Sequence, residues 1–481
     1  MNNFLHKHLS LVLSTSICFL FFIAYAILGL ERYYTFAAGY DLAVIDQAIW
    51  HYSHFTAPIS TNQAYAFTSI LTDHVELIFL LIAPFYWIWD NVQLLILLQG
   101  FLICFSGIAV FLLARKKNLN FFVSTILLIG YLAFYGIQNA IWADVHSLVI
   151  GISFIPWYVY FLETKKWKTS WIFCALIIIS KEDMGLFTLI IAFIYFIITK
   201  NKMLLWQMLL SAFYLFFFFF IYFPHFVPGG YRFENKNGLL SDINLANAAN
   251  TPDKRQVWFY TFSWFGFLPI LSPLYLLPSL ADLLKYFVLA NDTVSSGQSI
   301  FGHYRSSLAF FTVWPTIITI QKYKKQQKYF AVYIVLWLLI IQYMLHAPLS
   351  YLAKGWFWTI PSNAVTMNQA LMKIPNDAAV VSQINFLPRL SHRKLTFVMW
   401  PEKKNFTKDS PCGESSCNWF RWAGSPTLMI VDTSSDWDAR YWLENHQDFI
   451  DGLTNLKKVG IITPLYSFNT TSLYKVNKPP N

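Results

Sequence analysis

Long, largely charge-free runs separated by short basic clusters fill the first 347 residues. Leu9 to Leu30 carries no charge and is long enough to span a bilayer, since about 20 residues cross the hydrocarbon core. Further runs at 92–114, 119–143, 147–162, 169–180, 184–199, 203–223, 256–271, 273–290, 308–320 and 329–346 predict spans of the same kind. Between them lie Arg115-Lys116-Lys117, Lys165-Lys166-Trp167-Lys168, Lys200-Asn201-Lys202 and the run Gln321 to Lys328. Basic clusters of this sort mark cytoplasmic loops. They place the N-terminus in the cytoplasm and give about eleven transmembrane helices with the C-terminus outside. The run 75–89 is treated as a re-entrant or surface helix, because a crossing there would move the Arg115 cluster outside.

After residue 348 the pattern changes. Ala378–Val381, Leu395–Val398, Leu428–Val431 and Val459–Ile462 are short β-prone runs between polar stretches, which predicts a small extracytoplasmic α/β domain over 348–481. The membrane domain then covers 1–347, with an outer loop at 31–74. The Phe-rich run 216–220 reads as lipid-facing.

Composition supports this division. The chain is 56% hydrophobic and only 12% charged, against about a quarter charged in soluble domains. The net charge of +10 sits in the inter-helix clusters, so it reads as topology and not as a nucleic-acid surface. The location expected is a multi-pass protein of the inner (plasma) membrane. Leu9–Leu30 is a retained helix, since its apolar stretch is too long for a cleavable signal and no Ala-x-Ala-like site follows. Cys18, Cys104 and Cys174 lie in apolar spans, whereas Cys412 and Cys417 bracket a polar Gly-Glu-Ser-Ser and predict a disulfide in an oxidising compartment. No Walker motif, dinucleotide fingerprint or zinc-protease helix occurs.

The candidate chemistry gathers on the outer side. Gly39 to Trp50 follows the first helix and contains Asp41 and Asp46. As a helix over 42–52, it puts Leu42, Val44, Ile45, Ala48, Ile49 and Tyr52 on one face and Asp46, Gln47, Trp50 and His51 on the other. That pattern predicts a helix lying in the interface, with Asp41 at its cap and Asp46 on a wet face. A cap and a catalytic acid are compatible roles for Asp41. Asp73 and His74 can relay a proton or bind a metal, and Asp144 and His146 repeat the combination in the next outer turn. His303, Tyr304 and Arg305 supply a cationic patch in the last outer membrane loop.

Lys181-Glu182-Asp183 stands apart. It joins two short apolar segments between cytoplasmic clusters, and helices of 12–16 residues rise only about 18–24 Å against a core of about 30 Å. The turn must then lie below the outer surface, in protein or a wet cavity. Lys181 suits a phosphate, with Glu182 or Asp183 as its counter-charge; a purely structural ion network is the alternative.

Taken in order, Tyr40-Asp41-Leu42…Asp46-Gln47-Ala48-Ile49-Trp50, Asp73-His74, Leu80–Tyr86, Lys181-Glu182-Asp183, His303-Tyr304-Arg305 and Ile374-Pro375-Asn376-Asp377-Ala378…Ser391-His392-Arg393 resemble a family of bacterial polytopic membrane proteins of unknown function grouped with the GT-C glycosyltransferases. The resemblance covers nearly the whole chain. It implies a GT-C-like membrane fold, a polyprenyl-phosphate-linked sugar as donor, and an acid of the first outer loop acting on the acceptor. Asp41 takes that place, with Asp46 in reserve, and Lys181 takes the place near the lipid phosphate. The first loop of that superfamily usually reads Asp-Glu and this one does not, which leaves the choice of acid and any divalent cation open.

These readings lead to a membrane glycosyltransferase. In it Asp41 deprotonates the acceptor while Lys181 and Arg305 hold the lipid phosphate. A transporter of a lipid-linked or anionic substrate, or a non-catalytic membrane scaffold, is the alternative.

Overall fold

The computed structural model describes residues 2–62, 68–231, 243–288, 297–405, 416–434 and 446–480. The chain forms two compact units. One comprises residues 1–29, 71–81 and 95–357, and the other residues 30–70, 82–94 and 358–481. The two units divide at 357/358 near the C-terminal end, and most of the loop 31–74 folds with the C-terminal residues.

The helices in chain order are α1 (Asn2–Tyr34), α2 (Tyr40–Ser53), α3 (Ile78–Ile82), α4 (Gln93–Lys116), α5 (Phe121–Leu132), α6 (Tyr135–Trp142), α7 (Ser147–Glu163), α8 (Trp167–Ile178) and α9 (Gly185–Thr199). Then come α10 (Met203–Phe216), α11 (Phe223–Phe226), α12 (Pro252–Ser263), α13 (Leu277–Phe287), α14 (Leu308–Lys322), α15 (Gln327–Leu345), α16 (Asn363–Leu371), α17 (Leu387–Leu390) and α18 (His446–Lys458). Among the described residues, five stretches are long and apolar enough to cross a membrane: Leu9–Tyr34, Gln93–Lys116, Phe121–Trp142, Met203–Phe226 and Lys324–Leu345. The remaining expected spans are shorter. The left-handed backbone of Gly266 and Phe267 separates α12 from two 3₁₀ turns that begin at Pro269 and Pro273, and α13 follows. The run 75–89 yields α3 and a 3₁₀ turn over Ala83–Trp87, ten residues from Ile78 on and too short to cross.

Leu9, Val12, Phe19, Leu20, Leu209, Phe213, Leu336 and Leu339 are exposed on the long helices, as a lipid-facing surface requires. The Phe-rich run follows this only in part. Phe216 and Phe220 point out, while Phe218 is buried against Val75, Phe223 and Val227, and Phe217–Tyr222 is π-helical.

The second unit centres on a five-stranded mixed sheet. Its strands are β3 (Val380–Ser382), β4 (Thr396–Val398), β7 (Leu428–Asp432), β8 (Ile462–Phe468) and β9 (Thr471–Val476), in the order β4-β3-β7-β9-β8. β3 pairs in parallel with β4 and β7, and β9 pairs antiparallel with β7 and β8. Two hairpins complete the strands: β1 (Ile59–Ser60) with β2 (Thr68–Ser69), and β5 (Trp400–Asn405) with β6 (Ser416–Arg421). Three of the four expected strands match. The fourth, 459–462, is the turn after α18, with β8 starting at Ile462.

α2 departs most from expectation. Leu42 to Ile49 are all buried, so it is not an amphipathic helix with a wet face. Ala43 packs on Leu387 of α17 and Val398 of β4. Gln47 accepts from the Thr61 amide at 2.8 Å and donates to the Arg393 carbonyl at 3.1 Å. Thr61 in turn bonds both the carbonyl and the amide of Thr396, at 2.7 and 2.9 Å. Buried polar groups need such partners, and here they stitch the loop after the first helix to the sheet.

Candidate functional site

Four of the segments singled out in the sequence meet inside the membrane unit. The turn between α8 and α9 carries Lys181, Glu182 and Asp183, and Glu182 is wholly buried. Loop 73–77 lies beside it, with the Ile78 amide bonded to the Ile179 carbonyl at 2.9 Å. The Glu182 carboxylate is held by three groups: His74 Nδ1 at 2.8 Å, the Val75 amide at 3.0 Å and the Tyr231 hydroxyl at 3.0 Å. Burial alone pushes Glu182 up, but the His74 charge and hydrogen bond, together with Lys181, hold it below the usual carboxylate range. Burial and Lys181 push His74 down, and Glu182 outweighs them and raises it.

Lys285 of α13 joins the same network, 3.0 Å from Asp183 and 3.2 Å from Asp282. Ser307 donates to Asp282 at 2.8 Å, and Ser147 donates to the buried Glu76. Burial pushes Lys181 down, and Glu182 and Asp183 overcome it and raise it above the usual lysine range. Lys181 is therefore a cation. Among the described residues it makes no ion pair within 4 Å, whereas Lys285 makes two.

The turns 143–146 and 302–305, expected on the outer side, meet as well. The His146 and His303 rings stack with centroids 3.4 Å apart, and His303 lies 4.0 Å from the Tyr304 ring. The His146 amide is fixed by Gln99 at 3.0 Å. Burial lowers His146 to about 4, Lys181 and His74 add to the effect, and Asp144 opposes it. His303 is pushed down for the same reason, with His146, Lys181, His74 and Arg305 contributing. Both rings are neutral at neutral pH.

Arg305 is 0% exposed. Its guanidinium lies over the Tyr286 ring at 5.0 Å and the Phe287 ring at 5.5 Å, and donates from one amino group to the Gly297 carbonyl. Among the described residues its Nε and Nη1 have no hydrogen-bond partner. The approach of α6 makes this placement possible. A Cβ at Gly136 would stand 2.3 Å from the Arg305 carbonyl oxygen, so only glycine fits there.

Asp41 and Asp46 belong to the other unit. Gly39, with extended backbone, is the N-cap of α2, and Asp41 sits exposed in the first turn instead of at the cap. Asp46 is fully buried. It accepts from Tyr86 and Ser391 and lies 3.0 Å from His392 Nε2, and the other nitrogen of His392 lies 2.6 Å from Asp90. Burial pushes His392 down, but Asp46 and Asp90 raise it to about 10. The wet face expected for Asp46 is instead covered by residues 388–392 and Tyr86.

Sequence reasoning overlooked Asp90, Tyr86, Lys285, Asp282 and Tyr231. Asp282 and Lys285, one turn apart on α13, are ionisable residues within an apolar run, which is itself a signal in a membrane helix. Among the described residues no three His, Cys, Asp or Glu side chains form a metal-binding group. Cys417 is disulfide-bonded; Cys412 lies outside the described residues. Cys18, Cys104 and Cys174 are free and buried.

Comparison with solved structures finds the same fold in ArnT from Cupriavidus metallidurans, solved bound to undecaprenyl phosphate. The match has a TM-score of 0.51 and 8% identity, and covers 96% of this chain and 97% of that one. The comparison with curated proteins returns no match. The family model for predicted membrane proteins DUF2079 matches residues 32–411, most of both units, and the chain belongs to the DUF2079 family of predicted membrane proteins.

Proposed function

We propose that this chain is a membrane glycosyltransferase that takes a sugar from a polyprenyl-phosphate donor and passes it to an acceptor at the outer face of the inner membrane. One observation carries the reading: Arg305 is buried in the membrane unit with two guanidinium nitrogens unpartnered among the described residues. An unsatisfied buried donor costs about 1–3 kcal/mol, more for a charged group, and an anion supplied by a ligand removes that cost. Lys181, a second cation of the membrane unit, makes no ion pair among the described residues. Two such cations suit a lipid phosphate. ArnT, of the same fold, was solved with a polyprenyl phosphate bound.

In the reaction, the acceptor oxygen attacks the anomeric carbon, the bond from that carbon to the phosphate oxygen breaks, and the lipid phosphate leaves with the electron pair. Arg305 and Lys181 stabilise the charge that grows on the leaving phosphate. The acceptor proton passes to a base, and Asp41 is the acid that the family resemblance assigns to this step. The direct test supplies purified full-length protein with polyprenyl-phosphate-linked sugars and measures release of lipid phosphate. Transfer should vanish in Arg305→Gln and Lys181→Gln proteins that remain folded. Lipid movement across proteoliposomes without product would replace the enzyme by a carrier of the same substrate.

A further inference from the structure

The loops joining α4 to α5 and α14 to α15 line an open depression of about 590 Å³, a volume within the roughly 300–1,000 Å³ of small-molecule sites. Four cations line it, Arg115, Lys324, Lys325 and Lys328, together with Asn120 and Gln327 and no acid. Among the described residues none of the four makes an ion pair, although Lys117 close by is paired with Glu163 at 2.7 Å. The basic cluster thus neutralises one of its members and leaves the depression positive.

The walls are braced. Arg115 donates to the Leu119 carbonyl at 2.6 Å, and the Asn120 amide donates to the side chain of buried Gln327 at 2.9 Å. Asn120 also caps α5 by accepting from the Val123 amide at 2.9 Å. The rule that places cations beside membrane helices asks only for charge at this end, not for two loops hydrogen-bonded to each other beside a basic depression. The depression lies where the long apolar stretches Gln93–Lys116 and Lys324–Leu345 terminate, the level of lipid headgroups. Tyr323 and Tyr329 are exposed on either side, the amphipathic rings that favour that level.

We propose that this depression is a binding site for a phosphate-bearing anionic ligand, the headgroup of an anionic membrane lipid. Basic pockets between membrane helices recognise such headgroups through charge and hydrogen bonding. The site shares no residue with Lys181, Arg305 or the histidine pair, so it stands or falls independently of the proposed transfer reaction.

The test uses the full chain in phosphatidylcholine nanodiscs, with phosphatidylglycerol, cardiolipin or inorganic pyrophosphate added and retention read by native mass spectrometry. Wild-type protein should retain the anionic lipids over phosphatidylcholine. The triple variant Lys324→Gln, Lys325→Gln, Lys328→Gln should lose at least tenfold in that retention. Its melting temperature in phosphatidylcholine should stay unchanged, since all three side chains are exposed. Neutralising Lys165, Lys166 and Lys168 instead should leave retention intact. Equal retention by both triple variants would overturn the site. Pyrophosphate binding with no lipid preference would overturn the lipid assignment and leave a soluble polyphosphate as the ligand.

Discussion

His74 Nδ1 lies 2.8 Å from Glu182 Oε1, a contact between residues 108 positions apart that ties the loop before α3 to the turn between α8 and α9. Both groups change their affinity for protons on folding, in opposite directions. His74 is raised, so its contribution to stability is complete below its unfolded value of about 6.5 and is lost as pH rises through the folded value. Glu182 is lowered, so its contribution is complete above about 4.3 and is lost as pH falls through its folded value. Thermal stability should therefore peak between roughly pH 4.5 and 6.5. Glu182→Gln keeps the shape and removes the charge; it should cost about 3–5 kcal/mol and flatten that peak. Melting curves of both proteins from pH 4 to 9 decide it, and a peak that survives the substitution would mean the pair contributes nothing.

The second histidine–carboxylate contact titrates in another window. His392 is raised to about 10 by Asp46 and Asp90, against an unfolded value of about 6.5. Stability from this group is complete below pH 6.5 and declines as pH climbs to 10. In His392→Gln the alkaline decline between those values should be shallower than in wild type. Parallel slopes for the two proteins would show that His392 is neutral in the fold. Asp90, lowered by the His392 hydrogen bond, loses its contribution on the acid side instead.

Gly136 sets the position of Arg305. A methyl group there would meet backbone atoms, the Arg305 carbonyl oxygen and carbon at 2.3 and 2.4 Å, which cannot swing aside as a flexible side chain does. Gly136→Ala should displace the guanidinium and weaken binding of a short-chain polyprenyl phosphate by tenfold or more. Gly355→Ala, with nothing within 4 Å of the added atom, should bind as wild type. Calorimetric titration of both variants with the lipid phosphate separates them, and equal affinities would detach Arg305 from ligand binding.

Much of this was legible because lipid imposes simple rules on sequence. Charge-free runs of sufficient length must be helical, and α8 and α9, which rise about 18 and 22 Å, are as short as the spacing of the basic clusters around them implies. Contacts that join distant segments left no local trace. The polar side of α2 reads as solvated because Asp46 and Gln47 are polar, and the residues that cover it, Ser391 and His392, lie 345 and 346 positions away. Asp90 is one polar residue at the end of an apolar run, and nothing nearby in sequence announces the histidine it holds. Hydrophobic periodicity records which side of a helix is apolar; it does not record whether a polar side meets water or a satisfied network.

Asp41 and Asp46, five positions apart on α2, should separate cleanly on substitution. Asp46 is fully buried, accepts from two hydroxyls and faces a histidine cation. Asp46→Asn leaves His392 with only the exposed Asp90, and the loss of a buried charged partner costs about 3–5 kcal/mol. Asp41 is exposed in the first turn, where a carboxylate contributes about 0.3–1 kcal/mol through the helix dipole. Asp41→Asn should abolish sugar transfer in protein that remains folded. Asp46→Asn should lower the melting temperature by several degrees, with any loss of transfer following the folded fraction. If transfer survives Asp41→Asn and disappears in Asp46→Asn protein that is still folded, the catalytic acid is the buried one, and the Tyr86, Ser391 and His392 contacts become part of its activation.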